Sequence, residues 1–246
     1  KWSVENADFQ ELIQGTNINP DNSKPYPFCL AYPLEKTPEE LGDLEEWQAE
    51  YKWDGIRGQF IRRNNEVFIW SRGEELVNTQ FPELVSALEK MEGNFVVDGE
   101  ILAVKEEEVL NFNELQKRLN RKTISAKMMK DIPIQAFVYD LLEFEGEDFR
   151  GKPLIERRLK LEEVLENAEV QNFKLPEIII AKSWEELAEI RLKSRRNNSE
   201  GLMLKQKNSL YHSGRKKGDW WKWKVDALTI DAVLIYAQKG SGRRSG

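Results

Sequence analysis

A lysine that could act as a nucleophile lies two residues before an Asp-Gly pair and five before an arginine, in the string KWDGIR (52–57). A lysine amine attacks an electrophile only when it is unprotonated, so a reactive lysine is held among other charges that shift its pKa. A solvated turn at a sheet edge would give the same string no chemistry. Whether this lysine is reactive or lies in a solvated turn depends on which other polar residues surround it.

Acidic residues interrupt segments that are otherwise apolar. Asp98 and Glu100 lie within NFVVDGEILAV, Asp140 ends an apolar run, and Glu200 begins another. Each of these alone is more typical of a turn or an edge strand than of a site. Their occurrence together with KWDGIR favours a charged pocket built on strands.

Two lysines alternate with tryptophans in WWKWK (220–224). Residues i and i+2 of a strand share a face, so Lys222 and Lys224 are predicted to point together and Trp221 and Trp223 to the opposite side. Two ammonium groups on a buried face are costly unless an anion accompanies them. A pocket that receives a polyphosphate would supply that anion.

The elements that must position these residues mix strands and helices without strict alternation, which predicts an α+β fold with antiparallel sheets. The NN pair at 64–65 is the predicted turn of a hairpin, and Gly99 within its strand indicates a bulge or a close backbone approach. Pro82 opens a predicted helix, EIIIAKS (177–183) is a predicted strand, and residues 153–168 form a predicted amphipathic helix. The apolar stripe of that last helix is predicted to contain Leu154, Ile155, Leu159, Val164 and Leu165.

Composition excludes several classes of protein. The chain of 246 residues has one cysteine, Cys29, and one histidine, His212, which argues against a disulfide framework and a Cys- or His-based metal cluster. No apolar run approaches the roughly 20 residues of a membrane-spanning helix. We expect no membrane partner and a cytoplasmic location, nucleoid-associated in a bacterium, or a nuclear location in a eukaryote. His212 is expected to be a surface loop residue.

Charge is unevenly distributed along the chain. The net charge of −6 argues against a simple nucleic-acid coat protein. Residues 191–224, however, are rich in lysine and arginine and contain only Glu200 and Asp219 as acids. Such a segment suits an anionic partner, and a solvated helix face is the alternative.

KWDGIR resembles the K-x-D-G-x-R element of the covalent nucleotidyltransferases, which comprise DNA ligases, RNA ligases and messenger RNA capping enzymes. Five further elements follow in the family's order: SRGEE (71–75), DGE (98–100), FVYDLL (137–142), EGLMLK (200–205) and WWKWK (220–224). Within the family, WSRGEELVNTQFPEL most resembles ATP-dependent DNA ligases. The resemblance implies the ATP-grasp-like nucleotidyltransferase fold of a ligase adenylation domain.

The resemblance also implies a reaction. The lysine amine of the family attacks the α-phosphate of ATP, which gives a lysyl–AMP intermediate and pyrophosphate, and AMP then passes to the 5′-phosphate of a DNA nick. Lys52 is accordingly the expected catalytic residue. A free lysine has a pKa of about 10.4. The cations expected to lower the pKa of Lys52 are Arg57, Lys222, Lys224 and a bound Mg²⁺.

Four carboxylates match positions of the family. Glu100 and Glu200 correspond to metal-associated residues, and carboxylates are suitable ligands for Mg²⁺. Asp54 and Asp98 also match, but a buried hydrogen bond to the backbone explains each of them equally well.

Further matches concern the base. Tyr139 corresponds to the aromatic that stacks on adenine, Met203 to the apolar residue on the opposite face, and Glu50 to the acceptor for the adenine amino group. Without the motifs, Tyr139 and Met203 would be core residues by default. The implied nucleotide-binding set is Glu50, Lys52, Arg57, Arg72, Glu100, Tyr139, Met203, Lys222 and Lys224.

The implied partner is nicked double-stranded DNA, bound by a monomer that acts in DNA repair, replication or recombination. Arg72 also matches a contact to the 5′-phosphate of the nick. The expected contacts to the DNA backbone are Arg72, Arg195, Arg196, Arg215, Lys216 and Lys217.

Three regions are expected along the chain. Residues 1–24 are the predicted linker or end of an upstream DNA-binding region, and residues 25–226 are the predicted adenylation domain. Residues 227–246 are predicted to be the first strand and loop of a truncated C-terminal OB-fold.

Alternatives remain open at this point. An RNA ligase or a capping guanylyltransferase shares the lysine, DGE and KWK elements, although Glu50 and SRGEE favour ATP and DNA. An NAD-dependent ligase shares the lysine motif. A non-catalytic nucleic-acid-binding module would use the basic segment 191–224 alone.

Overall fold

The computed structural model of the chain describes residues 22–119, 121, 123–166, 170–226 and 236. The predicted linker, except residues 22–24, and the predicted OB-fold segment, except Tyr236, lie outside this part. None of the described helices combines the length and the apolarity needed to cross a membrane.

Strands dominate the described part of the chain. They are β1 (Cys29–Leu30), β2 (Tyr32–Pro33), β3 (Trp47–Trp53), β4 (Ile56–Arg63), β5 (Glu66–Ser71), β6 (Phe95–Lys105), β7 (Glu108–Val109), β8 (Ile134–Phe144), β9 (Glu147–Asp148), β10 (Phe173–Lys174), β11 (Ser199–Gln206), β12 (Gly214–Arg215) and β13 (Trp220–Lys224). The described α-helices are α1 (Pro82–Lys90), α2 (Phe112–Leu119), α3 (Ala126–Asp131), α4 (Leu154–Glu166) and α5 (Trp184–Lys193).

Two sheets form the scaffold. A seven-stranded sheet has the main order β10-β8-β6-β4-β5, with β7 beside β6 and β9 beside β8, and a four-stranded sheet has the order β2-β13-β11-β3. The long strands pair antiparallel, whereas the short β2 and β10 join parallel, and β1 and β12 form a separate parallel pair. The predicted α+β fold with antiparallel sheets is confirmed.

The main core lies between helices and the seven-stranded sheet. The spacing of Leu84 and Leu88 puts both side chains on one face of α1, where they pack with Phe60 of β4 and Val97 of β6. Pro82 begins α1, as the sequence predicts, because its fixed φ and missing N–H suit a first helical turn.

Local backbone chemistry shapes the strands that carry the charged residues. Asn64 and Asn65 join β4 to β5 with φ values of 51° and 64°, left-handed conformations that asparagine tolerates. At Gly99 the β6–β8 register shifts, and a Cβ atom there would lie 2.8 Å from the carbonyl oxygen of Phe137. The predicted hairpin turn and the predicted close approach at Gly99 are both confirmed.

Helix α4 packs on a different face from the predicted one. Leu154, Leu161 and Val164 are buried, but Ile155 and Leu159 are 46% and 58% exposed, so the predicted stripe is wrong at those two positions. The cause is the fully buried Arg157, whose guanidinium binds the fully buried Asp140 carboxylate on β8, with Nε–Oδ1 and Nη2–Oδ2 distances of 2.7 and 2.9 Å. This charged pair fixes the rotation of the helix on the sheet and gives Asp140 a structural role.

The predicted strand over residues 177–183 is also wrong. Only Ile179 forms an isolated bridge, to Ala49 at the edge of the four-stranded sheet, while Ile180 is 88% exposed. Three consecutive isoleucines favour a buried strand by composition, but one side of this segment has no sheet neighbour among the described residues.

Candidate active site

A cavity of about 530 Å³ receives side chains from both sheets. The four-stranded sheet contributes residues of β3, β11 and β13, and the seven-stranded sheet contributes residues of β4, β6 and β8. All of the residues predicted to bind the nucleotide line it: Glu50, Lys52, Arg57, Arg72, Glu100, Tyr139, Met203, Lys222 and Lys224.

Strand register explains why the four-stranded sheet has a charged face. Met203 on β11 lies opposite both Glu50 on β3 and Lys222 on β13, so the three side chains form one row on the same face. Lys52 and Lys224 follow two residues further along their strands, on the same side.

The opposite face of that sheet is apolar. Trp221 and Trp223 pack there with Leu202, Leu204 and Trp184 of α5. The predicted separation of lysines from tryptophans is confirmed, and the tryptophans hold the sheet that positions the lysines.

Lys52 forms an ion pair with Glu200 in the cavity. The Lys52 Nζ atom contacts Glu200 Oε2, and Lys224 Nζ lies 2.9 Å from the same oxygen. Burial acts to raise the pKa of Glu200, but the hydrogen bonds from Lys52 and Lys224 outweigh it and lower that pKa below its ordinary value. Glu200 is therefore a carboxylate shared by two ammonium groups.

Further charges surround this pair. Burial, together with the charges of Arg215, Lys224 and Lys52, lowers the pKa of Lys222. Burial and the charge of Glu200 raise the pKa of Asp54, the acid that follows β3. The cavity thus has several cations on this wall, with the carboxyl groups of Glu200 and Asp54 beside them.

Glu100 faces this wall from β6. It lies opposite Arg57 in the β4–β6 register, and burial raises its pKa to about 8 although Arg57 and Lys52 act against that shift. A cation that enters the cavity beside Glu100 would stabilise its ionised form and so lower its pKa.

Arg57 is fixed by a carboxylate behind the cavity. Asp98 is fully buried and accepts hydrogen bonds from Arg57 Nε at 3.1 Å and from Arg57 Nη2 at 2.6 Å. Arg57 Nη1 also donates to the carbonyl oxygen of Cys29 at 2.6 Å. Asp98 is thus a buried hydrogen-bond acceptor, but its donors are side chains and not the backbone that the sequence suggested as one explanation.

The part of the cavity predicted to hold the base contains a buried ion pair. Glu50 Oε2 accepts from Lys205 Nζ at 2.8 Å, and Glu50 Oε1 accepts from Gln48 Nε2 at 2.5 Å. The Lys205 ammonium also lies 4.1 Å from the centroid of the Tyr139 ring. The Glu50 carboxylate is held in one orientation, and its predicted contact with adenine stays a prediction.

The residues predicted to contact DNA do not all come together. Arg72 and Arg215 line the cavity. Arg195 donates to the carbonyl oxygen of Asp226 and lies with the exposed Arg196 in the 3₁₀ helix Ser194–Asn197.

The other two residues predicted to contact DNA, Lys216 and Lys217, lie in the loop after β12. Lys216 Nζ lies 3.2 Å from Asp219 Oδ2, and Lys217 is exposed. His212 is partly exposed in the loop before β12, where Lys216 Nζ lies 2.9 Å from its Nε2 atom.

A protein-family model described as the ATP dependent DNA ligase domain matches residues 29–224. The chain belongs to this family. The family match begins at β1 and ends at the last residue of β13, so it covers both sheets and the cavity between them.

Relatives agree with the family match. A probable DNA ligase of Koribacter versatilis is 33% identical over 244 residues, covering 90% of this chain and 42% of the relative. A DNA ligase of Acidianus ambivalens is 34% identical over 247 residues, covering 96% of this chain and 41% of the relative. The ligase-family chain described here thus spans about two fifths of the length of these relatives.

Solved structures share the fold. The mycobacterial DNA ligase D complexed with ATP and MES superposes with a TM-score of 0.64 at 25% identity, covering 80% of this chain and 60% of that one. The Chlorella virus DNA ligase-adenylate has a TM-score of 0.59 at 19% identity, covering 80% of this chain and 67% of that one. The expected nucleotidyltransferase fold of ATP-dependent DNA ligases is confirmed.

Mg²⁺ is the metal that the family implies, and the carboxylates of the cavity fit it as part of a shared site. Among the described residues, no group of three or more His, Cys, Asp or Glu side chains could hold a metal ion. Glu100 and Glu200 both line the cavity, and Mg²⁺ typically binds one or two carboxylates together with substrate phosphates. The donor set therefore suits an ion that arrives with a nucleotide.

Three residues that bind the carboxylates in and behind the cavity were not predicted from the sequence. Gln48 and Lys205 carried a usable signal, because each lies two residues along the strand from a predicted site residue and shares its face. Tyr211, which binds Asp98, lies in a loop and carried no signal, since its contact depends on how β11 and β13 are connected.

Proposed function

We propose that this chain catalyses the adenylation chemistry of an ATP-dependent DNA ligase, with Lys52 as the nucleophile. The observation that carries the proposal is the position of Lys52 in a cavity whose opposite wall holds Glu100 and whose own wall holds Lys222 and Lys224. The amine forms a nitrogen–phosphorus bond with the α-phosphate of ATP while the bond to the bridging α–β oxygen breaks. Pyrophosphate leaves, and the lysine nitrogen loses its proton.

Glu200 positions the nucleophile in this scheme. As long as the carboxylate contacts Lys52, the amine is directed at Glu200 rather than at a phosphate. Incoming phosphate groups offer the cations of the wall new partners, and Lys224 already competes for the same Glu200 oxygen. Release of Lys52 from Glu200 thus leaves the amine free to turn toward the α-phosphate.

Mg²⁺, held by Glu100, Glu200 and the phosphates, would neutralise the charge that builds up on the phosphate oxygens. Lys222 and Lys224 act on the same negative charge from the β13 side. Both lysines are carried by one paired strand, so their backbone positions do not have to change as the reaction proceeds.

The base is proposed to lie between Tyr139 and Met203, both of which line the cavity. Glu50 then faces the exocyclic amino group of adenine. Guanine presents a carbonyl oxygen at that position, which a carboxylate repels. This arrangement favours ATP over GTP and argues against the guanylyltransferase alternative.

The second step is proposed to transfer AMP from Lys52 to the 5′-phosphate of a nick in double-stranded DNA. Arg72 lines the cavity and is exposed, as a contact to that phosphate requires. The basic residues near β12 and in the helix Ser194–Asn197 are proposed to contact the DNA backbone. We further propose that the protein acts as a monomer, in the cytoplasm of a bacterium or the nucleus of a eukaryote.

Radiolabelled nucleotides test the proposal. Incubation with ATP labelled at the α-phosphate and Mg²⁺ should label the denatured protein, whereas labelled GTP should not. Transfer of the label to nicked DNA, but not to nicked RNA, would identify the acceptor. Labelling by GTP would support a capping enzyme, and absence of any covalent label would overturn the adenylation chemistry.

A further inference from the structure

Tyr211 lies behind the cavity rather than in its wall. It belongs to the segment between β11 and β12, is 4% exposed, and its ring packs edge-on against Trp220 with 5.9 Å between centroids. Its backbone N–H donates to the carbonyl oxygen of Arg150 at 3.0 Å. The side chain is therefore fixed from two directions.

The hydroxyl of Tyr211 completes the hydrogen bonding of Asp98. It donates to Asp98 Oδ2 at 2.5 Å, next to the Nη2 atom of Arg57 on the same oxygen. Asp98 Oδ1 accepts from Arg57 Nε and from the Tyr139 hydroxyl at 3.3 Å. An ionised carboxylate offers about four acceptor positions, and here all of them are used.

Two of the donors to Asp98 are residues of the proposed nucleotide site. Arg57 and Tyr139 both line the cavity, and Asp98 joins them from behind. Burial and the charge of Asp98 raise the pKa of Tyr211 well above its ordinary value, so the hydroxyl stays protonated and remains a donor.

We propose that Tyr211 is a positioning residue for nucleotide binding. It acts on Arg57 directly, since its hydroxyl accepts from Arg57 Nη2 at 3.4 Å, and through Asp98 on both Arg57 and Tyr139. The inference rests on the proposed function, since it takes the cavity to be the ATP site. Without the hydroxyl, one lone pair of a fully buried carboxylate is left open, and the carboxylate turns toward other donors. The guanidinium of Arg57 then loses its fixed orientation toward the cavity.

A second cluster of the same chemistry provides a matched control. The Tyr26 hydroxyl donates to Glu143 Oε2 at 2.6 Å, and Arg63 binds both oxygens of that carboxylate at 2.8 and 2.7 Å. These residues line a different cavity, which shares no residue with the first. Tyr26→Phe removes the same kind of hydrogen bond without touching the nucleotide site.

The experiment measures binding of α,β-methylene-ATP, in which a carbon replaces the leaving oxygen, by calorimetry. Tyr211→Phe should weaken binding roughly tenfold, the effect of one lost hydrogen bond to a charged group. Tyr26→Phe should leave the affinity within about twofold of the wild type. In an Arg57→Lys background, Tyr211→Phe should cause little further loss, because its effect passes through the guanidinium.

Each contrary outcome overturns a defined part of the scheme. Wild-type affinity in Tyr211→Phe, an equal loss in Tyr26→Phe, or an undiminished effect in the Arg57→Lys background would each exclude the positioning role. A wild-type chain that does not bind the analogue would overturn the proposed function and this inference with it. Thermal unfolding checks that the variants are folded; if Tyr211→Phe is not folded at the temperature of the measurement, all chains are compared at a lower temperature at which it is, with the same expected ratios.

Discussion

Lys52 and Glu200 form an ion pair between the end of β3 and the start of β11, 148 residues apart in the sequence. The pair places the proposed nucleophile and a proposed metal ligand side by side. Without a ligand, the Lys52 ammonium group is directed at the Glu200 carboxylate. In the proposed reaction, the nucleotide replaces this contact before the amine attacks.

Replacing the nucleophile should abolish the covalent adduct. Lys52→Ala removes the amine, and Lys52→Arg keeps a charge that pairs with Glu200 but cannot be deprotonated near neutral pH. Mass spectrometry of the intact protein after incubation with ATP and Mg²⁺ should show one added AMP in the wild type and none in either variant.

Lys117→Ala is the control for Lys52, because Lys117 is an exposed lysine of α2 paired with Glu114. It should be adenylated as fully as the wild type. An adduct of normal yield in Lys52→Arg would assign the nucleophile to another residue.

Glu50 should contribute both to base choice and to stability. Glu50→Ala should narrow the preference for ATP over GTP by roughly 1–3 kcal/mol, if one buried hydrogen bond to adenine is lost. It also leaves the buried ammonium of Lys205 without its carboxylate, which should cost about 3–5 kcal/mol of unfolding free energy.

Denaturant unfolding and competitive nucleotide binding measure the two effects separately. Glu50→Gln leaves the Lys205 cation unpaired, and the double variant Glu50→Gln/Lys205→Met removes that cation. Comparing the two variants separates the effect on adenine recognition from the effect on stability. If the double variant regains stability and still prefers ATP as strongly as the wild type, adenine is recognised elsewhere.

The strands of the site could be predicted because polar and apolar residues alternate along them with a period of two. Lys222 and Lys224 share a face by alternation alone, and Gly99 marks a strand that approaches its neighbour closely. Such features depend on residues adjacent in sequence. The six sequence motifs then indicated which residues on these strands belong to the site.

The features that could not be predicted depend on contacts between residues far apart in the sequence. Ile155 and Leu159 have the spacing of a buried stripe, yet Arg157 turns α4 toward Asp140 and leaves them exposed. Tyr211 reaches Asp98 across 113 residues of chain. Neither the Arg157–Asp140 nor the Tyr211–Asp98 contact follows from local periodicity. Each forms because a buried carboxylate is hydrogen-bonded by a donor from a distant part of the chain.

Stability should fall with rising pH because of Glu100. Burial raises its pKa in the folded protein to about 8, against 4.5 as its ordinary value, so the folded state binds the proton more tightly. Between these two pH values unfolding releases that proton, and the unfolding free energy should fall by up to about 1.4 kcal/mol per pH unit. The stabilisation is fully present below pH 4.5 and is lost as the pH rises through 8.

Urea unfolding at several pH values between 5 and 8, without metal, measures this dependence. Glu100→Gln should have a flatter profile than the wild type, whereas Glu89→Gln, at an exposed position of α1, should keep the wild-type slope. Parallel profiles for Glu100→Gln and the wild type would show that Glu100 is ionised in the folded protein.

Arg215 and Lys217 should differ in function although both were predicted to contact DNA. Arg215 lines the cavity and lies close enough to Lys222 to lower its pKa, whereas Lys217 is exposed outside it. Arg215→Ala should therefore weaken α,β-methylene-ATP binding severalfold, because a cation is lost from the wall that faces the phosphates. Lys217→Ala should leave that affinity unchanged, and equal nucleotide binding by both variants would place Arg215 outside the phosphate site.

The exposed basic residues should instead govern binding to DNA. Neutralising Arg196 and Lys217 together should weaken binding to nicked duplexes of unrelated sequence to the same extent, because contacts to phosphates carry no sequence information. Each phosphate contact that is lost should also reduce the slope of log affinity against log salt by about 0.9. Fluorescence anisotropy over a range of salt concentrations measures both quantities, with Lys117→Ala/Lys127→Ala, two exposed lysines of α2 and α3, as the charge-matched control. Because that control removes the same net charge, an equal change of slope in both double variants would mean that overall charge, rather than these two residues, attracts the DNA.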